Sequence, residues 1–542
     1  MRVAPGFPSR ILPAMVGLIA VCACEATGPE ASVAAEPVAP QSPDLVETAS
    51  GALRGEIVEA DGYAAFRAIP FGAPPVGDLR WAPTMPPESW EGVRDATAFG
   101  PACAQATPKP GDWNYDADVE YAEDCLYLNV YAPTGALEEG AEKLPVMFWI
   151  YGGGFSRGGA NQAVYRDPTP YTDRDVILVI PNYRLGAFGY LAHPDFSANA
   201  ESGTSGNYGT MDQIAALEWV QENIEQFGGD PENVTLFGES AGAISNNVLM
   251  VTPSAQNLFD KAIMQSGGIW GLTPYMKSLE TAEAWGKDFL SERGVETLEE
   301  ARAMPVETLA ELPWQYAFSL QPIADGVLTP ATTGDAFLRG EQSDQDIIIG
   351  WTREEGGRMH AGVKGEEAAR EWFNEQFGDA GPELFSEYYE AYGDYTASAV
   401  AAASNAIGQG SIVEAELQLA KTPNVYVFRF DQAQPTEDGE TYGAVHGADV
   451  PYTFEYFPNA IDWRESDRAL SEAMIDYWVS FAKTGNPNTE GQPAWPVFDP
   501  QDPEILSFGT PVQTVALDQY DLIMKSMKPD NYSRDEALKA EQ

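Results

Sequence analysis

Apolar positions along the chain fall into two patterns, short unbroken runs and longer stretches with helical spacing. Leu144 to Tyr151 (LPVMFWIY) and Val176 to Ile180 (VILVI) are continuous apolar runs of strand length, as expected of strands covered on both faces. Met211 to Phe227 (MDQIAALEWVQENIEQF) instead repeats its apolar residues at helical spacing and is stopped by Gly228-Gly229. Val234 to Phe237 (VTLF), Asp346 to Gly350 (DIIIG) and Val425 to Phe430 (VYVFRF) are further strand candidates, and a helix is predicted around Ala469 to Ala482. Strand alternating with helix predicts an α/β fold, a large mostly parallel sheet with helices on both faces. In that architecture active-site groups gather at the carboxyl ends of the strands.

The first residues belong to a different pattern. Arg2 and Arg10 precede and flank an apolar run, Ile11 to Val21, too short to span a bilayer, so residues 1–23 are predicted to be an export signal. Val21-Cys22-Ala23-Cys24 fits a bacterial lipoprotein box in which Cys24 carries the lipid; ordinary secretion with both cysteines removed is the competing reading. Residues 24–44, rich in Ala, Pro, Glu and Ser without hydrophobic period, are expected to form a disordered tether. Residues 45–530 then show no linker and no repeat and are predicted to be one catalytic domain, with 531–542 a flexible tail. The expected location is therefore outside the cytoplasm, periplasmic or anchored to the outer membrane, otherwise secreted. Of four cysteines only Cys103 and Cys125 lie in the folded part. In an oxidising compartment they are expected to pair, and closing such a loop contributes about 3 kcal/mol in the chain-entropy model. Two cysteines and three scattered histidines supply no zinc ligand set.

Composition sharpens this. With 542 residues, 44% of them hydrophobic and 11% aromatic, the chain can bury a large core, which excludes collagen, coiled coil and wholesale disorder. Length alone would allow three or four domains, but α/β enzymes often run long as one unit. Lys and Arg total 31 against 82 Asp and Glu, a net charge of −51, which repels a phosphate backbone and excludes nucleic acid as a partner. The acidity is a statement about solvation, whether for salt tolerance or for solubility.

Candidate chemistry centres on Gly238-Glu239-Ser240-Ala241-Gly242, a G-x-S-x-G sequence placed directly after the strand VTLF and before a helix-compatible segment. That setting is the one a nucleophile elbow needs: a sharp turn exposes Ser240, and glycines two positions either side avoid clashes with neighbouring elements. A serine nucleophile needs a base, a group to orient it and donors for the oxyanion. His193 precedes the serine and His360 sits close to Glu355, leaving His446 in a loop after VYVFRF as the base. Past the strand DIIIG, Glu354 and Glu355 compete as the orienting acid, and spacing does not choose between them. Tyr151-Gly152-Gly153-Gly154-Phe155 follows a strand and removes side chains where backbone amides must approach a substrate oxygen, with the Ala241 amide as a further donor.

Together these pieces resemble the type-B carboxylesterase family, the cholinesterase-like branch of the α/β-hydrolases, in a bacterial member. The likeness also runs through Phe66-Arg67-Ala68-Ile69-Pro70-Phe71-Gly72, Glu123-Asp124-Cys125-Leu126-Tyr127-Leu128-Asn129-Val130, Asn182-Tyr183-Arg184-Leu185-Gly186, the block from Gly206 to Gly242, and Trp478 to Pro496. The resemblance implies an α/β-hydrolase fold with helical insertions after the elbow, and a serine esterase that forms an acyl-enzyme on small-molecule esters without cofactor or metal. It implies Ser240 as nucleophile, His446 as general base and acid, and Glu355, the glutamate before glycine, as the orienting acid. Gly153, Gly154 and Ala241 would supply the oxyanion amides, and Cys103–Cys125 would close the family's N-terminal surface loop. Tyr316 and Phe318 fall where the family places acyl-pocket aromatics, with ordinary core packing the competing reading; Glu239 falls in the gorge without an assigned catalytic duty. The Cys103–Cys125 loop holds Trp113 and Tyr115 but not the cholinesterase spacing of the choline-binding tryptophan, so no quaternary ammonium site is implied. Alternatives within the fold are a lipase, an amidase or carbamate hydrolase, and a non-catalytic binding or adhesion protein.

Overall fold

The continuous apolar runs become the centre of one large sheet. The computed structural model describes residues 43–109, 115–268, 276–312, 319–517 and 520–525. The sheet has eleven strands. In chain order they are β1 Glu56–Val58, β2 Tyr63–Pro70, β3 Tyr127–Pro133, β4 Leu144–Ile150, β5 Ile177–Pro181 and β6 Gly229–Glu239, followed by β7 Lys261–Gln265, β8 Asp346–Thr352, β9 Val425–Phe430, β10 Glu504–Phe508 and β11 Gln513–Ala516. In space they run β11-β10-β9-β8-β7-β6-β4-β5-β3-β2-β1. Neighbours from β10 across to β5 are parallel. β11 on one flank, and the pairs from β5 through β1 on the other, are antiparallel.

Burial explains which strands sit where. Val146 to Ile150 in β4 and Ile177 to Ile180 in β5 have no exposed surface, the condition for a central parallel strand covered by helices on both sides. The predicted strands all form, and the mostly parallel centre is as expected. On the antiparallel flanks β1 and β11 are short and half-buried, whereas β2 and β3 are eight and seven residues long and largely buried. β6 starts earlier than VTLF, because Gly229 already pairs with Leu144 before a register irregularity ahead of Val234.

The helices that matter to the site are α1 Tyr208–Asn223, α2 Ala241–Val251, α3 Leu279–Ser291, α4 Glu366–Phe377, α5 Gly381–Tyr392, α6 Tyr395–Gln418 and α7 Glu465–Thr484. α1 begins three residues before the periodic signal, because Asn207 adopts the left-handed conformation (φ +46°) and turns the chain into it. Gly209 belongs to this first turn and lies so close to the Arg184 carbonyl that a Cβ there would sit at 2.5 Å. α3 lies in the segment between β7 and β8, and α4, α5 and α6 between β8 and β9, so the insertions after the elbow lead from strand carboxyl ends. α4, α5 and α6 carry an aromatic cluster of their own, including Trp372, Phe373, Phe385 and Tyr388.

The folded body starts slightly before Leu45. The Asp44 carboxylate pairs with Arg54 at 2.7 Å, and its carbonyl accepts the Gly55 N–H at 2.8 Å. The export signal, Cys24, nearly all of the tether and the predicted tail lie outside the described residues. Cys103 and Cys125 are bonded, with sulfurs 2.07 Å apart.

Several residues that carry the family resemblance hold the frame. Arg184 and Asp212 form a two-pronged ion pair, both bonds 2.8 Å, with their side chains 4% and 0% exposed. The same carboxylate accepts the Arg184 N–H at 2.9 Å and the Thr84 hydroxyl at 2.5 Å. This knot ties the loop after β5 to α1 and to the N-terminal segment. Asn182 similarly accepts the Ala160 N–H and donates to the carbonyls of Pro101 and Cys125. Asp212→Ala, which strands the Arg184 guanidinium without its counter-charge in the interior, is expected to cost about 3–5 kcal/mol; a denaturant midpoint unchanged from the parent would contradict it.

Candidate active site

Ser240 occupies the junction between β6 and α2 with φ +54° and ψ −121°, a conformation that L-residues hold only when their surroundings enforce it. The enforcement is visible in the two glycines. A Cβ on Gly242 would lie 1.9 Å from the Ile150 carbonyl oxygen, and one on Gly238 would lie 2.7 Å from the same oxygen. Only bare backbone fits, so β4 and the elbow interlock at this point. The turn projects Ser240 beyond the sheet, and α2 starts at Ala241.

The three residues predicted to act with one another converge. The His446 Nε2 lies 2.8 Å from the Ser240 Oγ, and its Nδ1 lies 2.5 Å from the Glu355 Oε2. Glu355 is fully buried in its side chain, whereas the His446 ring is 39% exposed. The other Glu355 oxygen accepts the Thr352 N–H at 2.9 Å, which fixes the carboxylate at the end of β8. Neither of the other histidines takes part. His193 caps the helix Pro194–Asn199 by accepting the Asp195 N–H, and His360 packs edge-on against Trp372.

Glycines 153 and 154 both take positive φ, +109° and +62°. At Gly153 a Cβ would strike the Arg157 carbonyl at 2.3 Å, and at Gly152 it would strike the Glu239 carboxyl at 2.5 Å and reach Ser240 at 3.1 Å. The glycine loop is therefore pressed against Ser240. Among the described residues the Gly153 and Gly154 N–H groups donate to no protein acceptor, and the Ala241 N–H, in the first turn of α2, has no acceptor within its helix. Three donors are left for a ligand oxygen.

Carboxylates surround the imidazole on several sides. Glu239, 7% exposed, places Oε1 3.4 Å from the His446 Nε2. Burial, reinforced by the charges of Asp449 and Glu355 and opposed by His446, pushes its carboxyl up to about 8, so it holds a proton at neutral pH. Asp449 is completely buried, accepts from the Gln265 side chain at 2.7 Å, and is pushed by burial up to about 6. Burial would raise Glu355 too, but the charge and hydrogen bond of His446 outweigh it and hold this carboxyl below the ordinary range. His446 is pulled down by burial and up by Glu355, Glu239 and Asp449; the carboxylates prevail, and the imidazolium is favoured. Such a set can take a proton from a hydroxyl, carry it as imidazolium and return it.

Glu354 has a role the sequence did not indicate. It does not reach the imidazole. Its Oε2 accepts the Ala444 N–H at 2.8 Å, and its own N–H donates to the Ala444 carbonyl at 3.0 Å. Gly443 (φ +83°) passes so near that a Cβ would lie 2.6 Å from the Glu354 carboxyl. The adjacent glutamates thus divide the work: Glu355 meets the ring, and Glu354 clasps the loop that carries it. Asp449 and Gln265 were also missed, since nothing in their spacing marks them. Tyr316 and Phe318 lie outside the described residues. The described residues contain no group of three or more His, Cys, Asp or Glu side chains that could hold a metal ion.

Comparison with known proteins gives the family of the chain. Residues 42–528 match the model of the carboxylesterase family. The chain is 36% identical to fumonisin B1 esterase of Sphingopyxis macrogoltabida over 502 residues, 88% of this chain and 89% of that protein. It is 33% identical to para-nitrobenzyl esterase of Bacillus subtilis over 488 residues, 85% and 94% of the two chains. The solved carboxylesterase of Geobacillus stearothermophilus superposes with a TM-score of 0.76 at 32% identity, covering 89% of this chain and all of that one.

The clasp has a measurable signature. Glu354→Ala removes the acceptor and is expected to lower kcat by about tenfold or more with little change in KM, while Glu354→Gln, which keeps an oxygen, restores most of it. Equal activity in the two variants would remove the assignment.

Proposed function

The chain belongs to the carboxylesterase family and is a carboxylic ester hydrolase, and from that premise we propose that Ser240, His446 and Glu355 carry the reaction. The observation that supports it is the unbroken hydrogen-bonded line from Ser240 Oγ through both nitrogens of His446 to the buried Glu355. The Ser240 hydroxyl gives its proton to Nε2 as Oγ bonds to the ester carbonyl carbon. The carbonyl oxygen takes the negative charge and is met by the amides of Gly153, Gly154 and Ala241. Collapse of the tetrahedral adduct breaks the bond to the alcohol oxygen, which leaves with the proton from Nε2. A water then loses its proton to Nε2 and attacks the acyl-enzyme; the acid departs, and the proton returns to Oγ. Glu355 stays ionised throughout, holding Nδ1–H and stabilising the imidazolium. The step needs no cofactor.

The pH dependence follows in sign. The base must be neutral, so kcat/KM falls as pH drops through the imidazole titration, which the surrounding carboxylates place above the ordinary histidine range. Glu355→Gln removes the nearest of those charges, so the acid limb shifts to lower pH while the maximal rate falls by about 10³–10⁴. Ser240→Ala should cost about 10⁴–10⁶ in turnover of a short-chain aryl ester with the fold retained, and abolish labelling by a fluorophosphonate probe. Near-parent turnover in that variant would refute the mechanism.

The substrate is a small-molecule ester. We propose further that the protein works outside the cytoplasm, held to a membrane through lipidated Cys24. Residues 1–23 support export, and the Cys103–Cys125 bond suits an oxidising compartment. Cys24→Ser should move the protein from the membrane fraction to the soluble one; an unaltered distribution would rule out the anchor.

A further inference from the structure

Arg157 stands apart from every other described arginine. Each of the rest is engaged by a carboxylate, a carbonyl oxygen or an aromatic ring. In a chain with 82 acidic residues against 31 basic ones, that is the expected fate of a guanidinium. Arg157 is exposed and, among the described residues, its side chain has no such partner. Its position is also particular. The Arg157 N–H donates to the Gly153 carbonyl at 3.2 Å, and its Cβ lies 3.4 Å from where a Cβ on Gly153 would be. The unpaired cation is thus rooted in the loop that offers the Gly153 and Gly154 amides.

Resting on the esterase reading above, we propose that Arg157 is a specificity-determining residue that selects esters bearing a second, free carboxylate. The carbonyl oxygen of a bound ester must lie at the glycine amides, so a carboxylate a few bonds further along the substrate comes within reach of this long side chain. A planar guanidinium matches a carboxylate with two parallel N–H···O bonds and stays charged at any working pH. The rest of the molecule gives such a cation a purpose. A net charge of −51 repels anionic substrates at long range, but salt screens that field beyond about 8 Å at physiological ionic strength. Within that distance the local charge decides. Glu239, protonated at neutral pH, adds no charge there, Glu355 is balanced by the histidine, and Asp449 is completely buried against the Gln265 side chain.

The test compares matched esters on the purified protein, by titrating the acid released. Monoethyl adipate against ethyl hexanoate places the carboxylate on the acyl side; 6-acetoxyhexanoate against hexyl acetate places it on the alcohol side. Arg157→Gln is expected to lower kcat/KM for one of the two anionic esters by about tenfold or more, chiefly through KM, and to leave both neutral esters within about twofold. Arg157→Lys should keep most of the preference, because the charge remains. The side on which the effect appears identifies which half of the substrate carries the anion. An anionic-to-neutral ratio unchanged in Arg157→Gln on both sides would overturn the proposal while leaving the hydrolytic reading intact. Failure of the unaltered protein to turn over the neutral esters would overturn the Ser240 mechanism itself, and this inference with it.

Discussion

The structure depends on one backbone contact. The Ile150 carbonyl at the end of β4 packs against Gly242 so closely that even a methyl group would overlap it. That approach brings two neighbouring strand ends together, one continuing into the glycine loop and the other into the serine elbow. Ser240 and the amides of Gly153 and Gly154 are then placed by the sheet rather than by flexible loops. The strained backbone at Ser240 is the local cost of that arrangement, sustained by a core in which β4 and most of β6 are buried. Glu355 and His446 arrive on the segments that follow β8 and β9, which stand in register with β7 on the same parallel sheet.

Much of this was legible in the sequence because strand length and burial leave a direct trace there. A run such as VILVI has no polar face to present to water, so it must be central. The elbow was legible because its glycines answer a steric demand that no other residue meets. The choice between Glu354 and Glu355 was not, since both follow the same strand and one residue of difference in a turn reverses the direction of a side chain. Only the resemblance to a family distinguished them. The short flanking strands β1 and β11 were likewise hidden, because three or four half-buried residues give no periodicity to read. Asp449 and Gln265 were invisible for another reason: their role comes from packing beneath the histidine loop, across a wide gap in sequence.

The electrostatics of the site are a balance among acids. One carboxylate stays ionised because an imidazole answers it; a second keeps its proton because burial costs more than its neighbour returns. The two glutamates are separated by solvation and partner rather than by kind. The ring of a histidine within such a group is held in one orientation, with Nδ1 facing Glu355 and Nε2 facing the serine. The acidic surface that dominates the net charge plays no direct part in this balance.

The insertions behind the elbow have an evolutionary implication. α3 follows β7, and α4 to α6 follow β8, on the side of the sheet where Ser240, Glu355 and His446 stand, and both stretches lead back to parallel strands. α4, α5 and α6 even bring a private aromatic core. Because both stretches enter and leave at strand ends, a change of length or sequence there need not disturb the alignment of Ser240, His446 and Glu355. One sheet can in this way carry differently built insertions without a change in the strands beneath them.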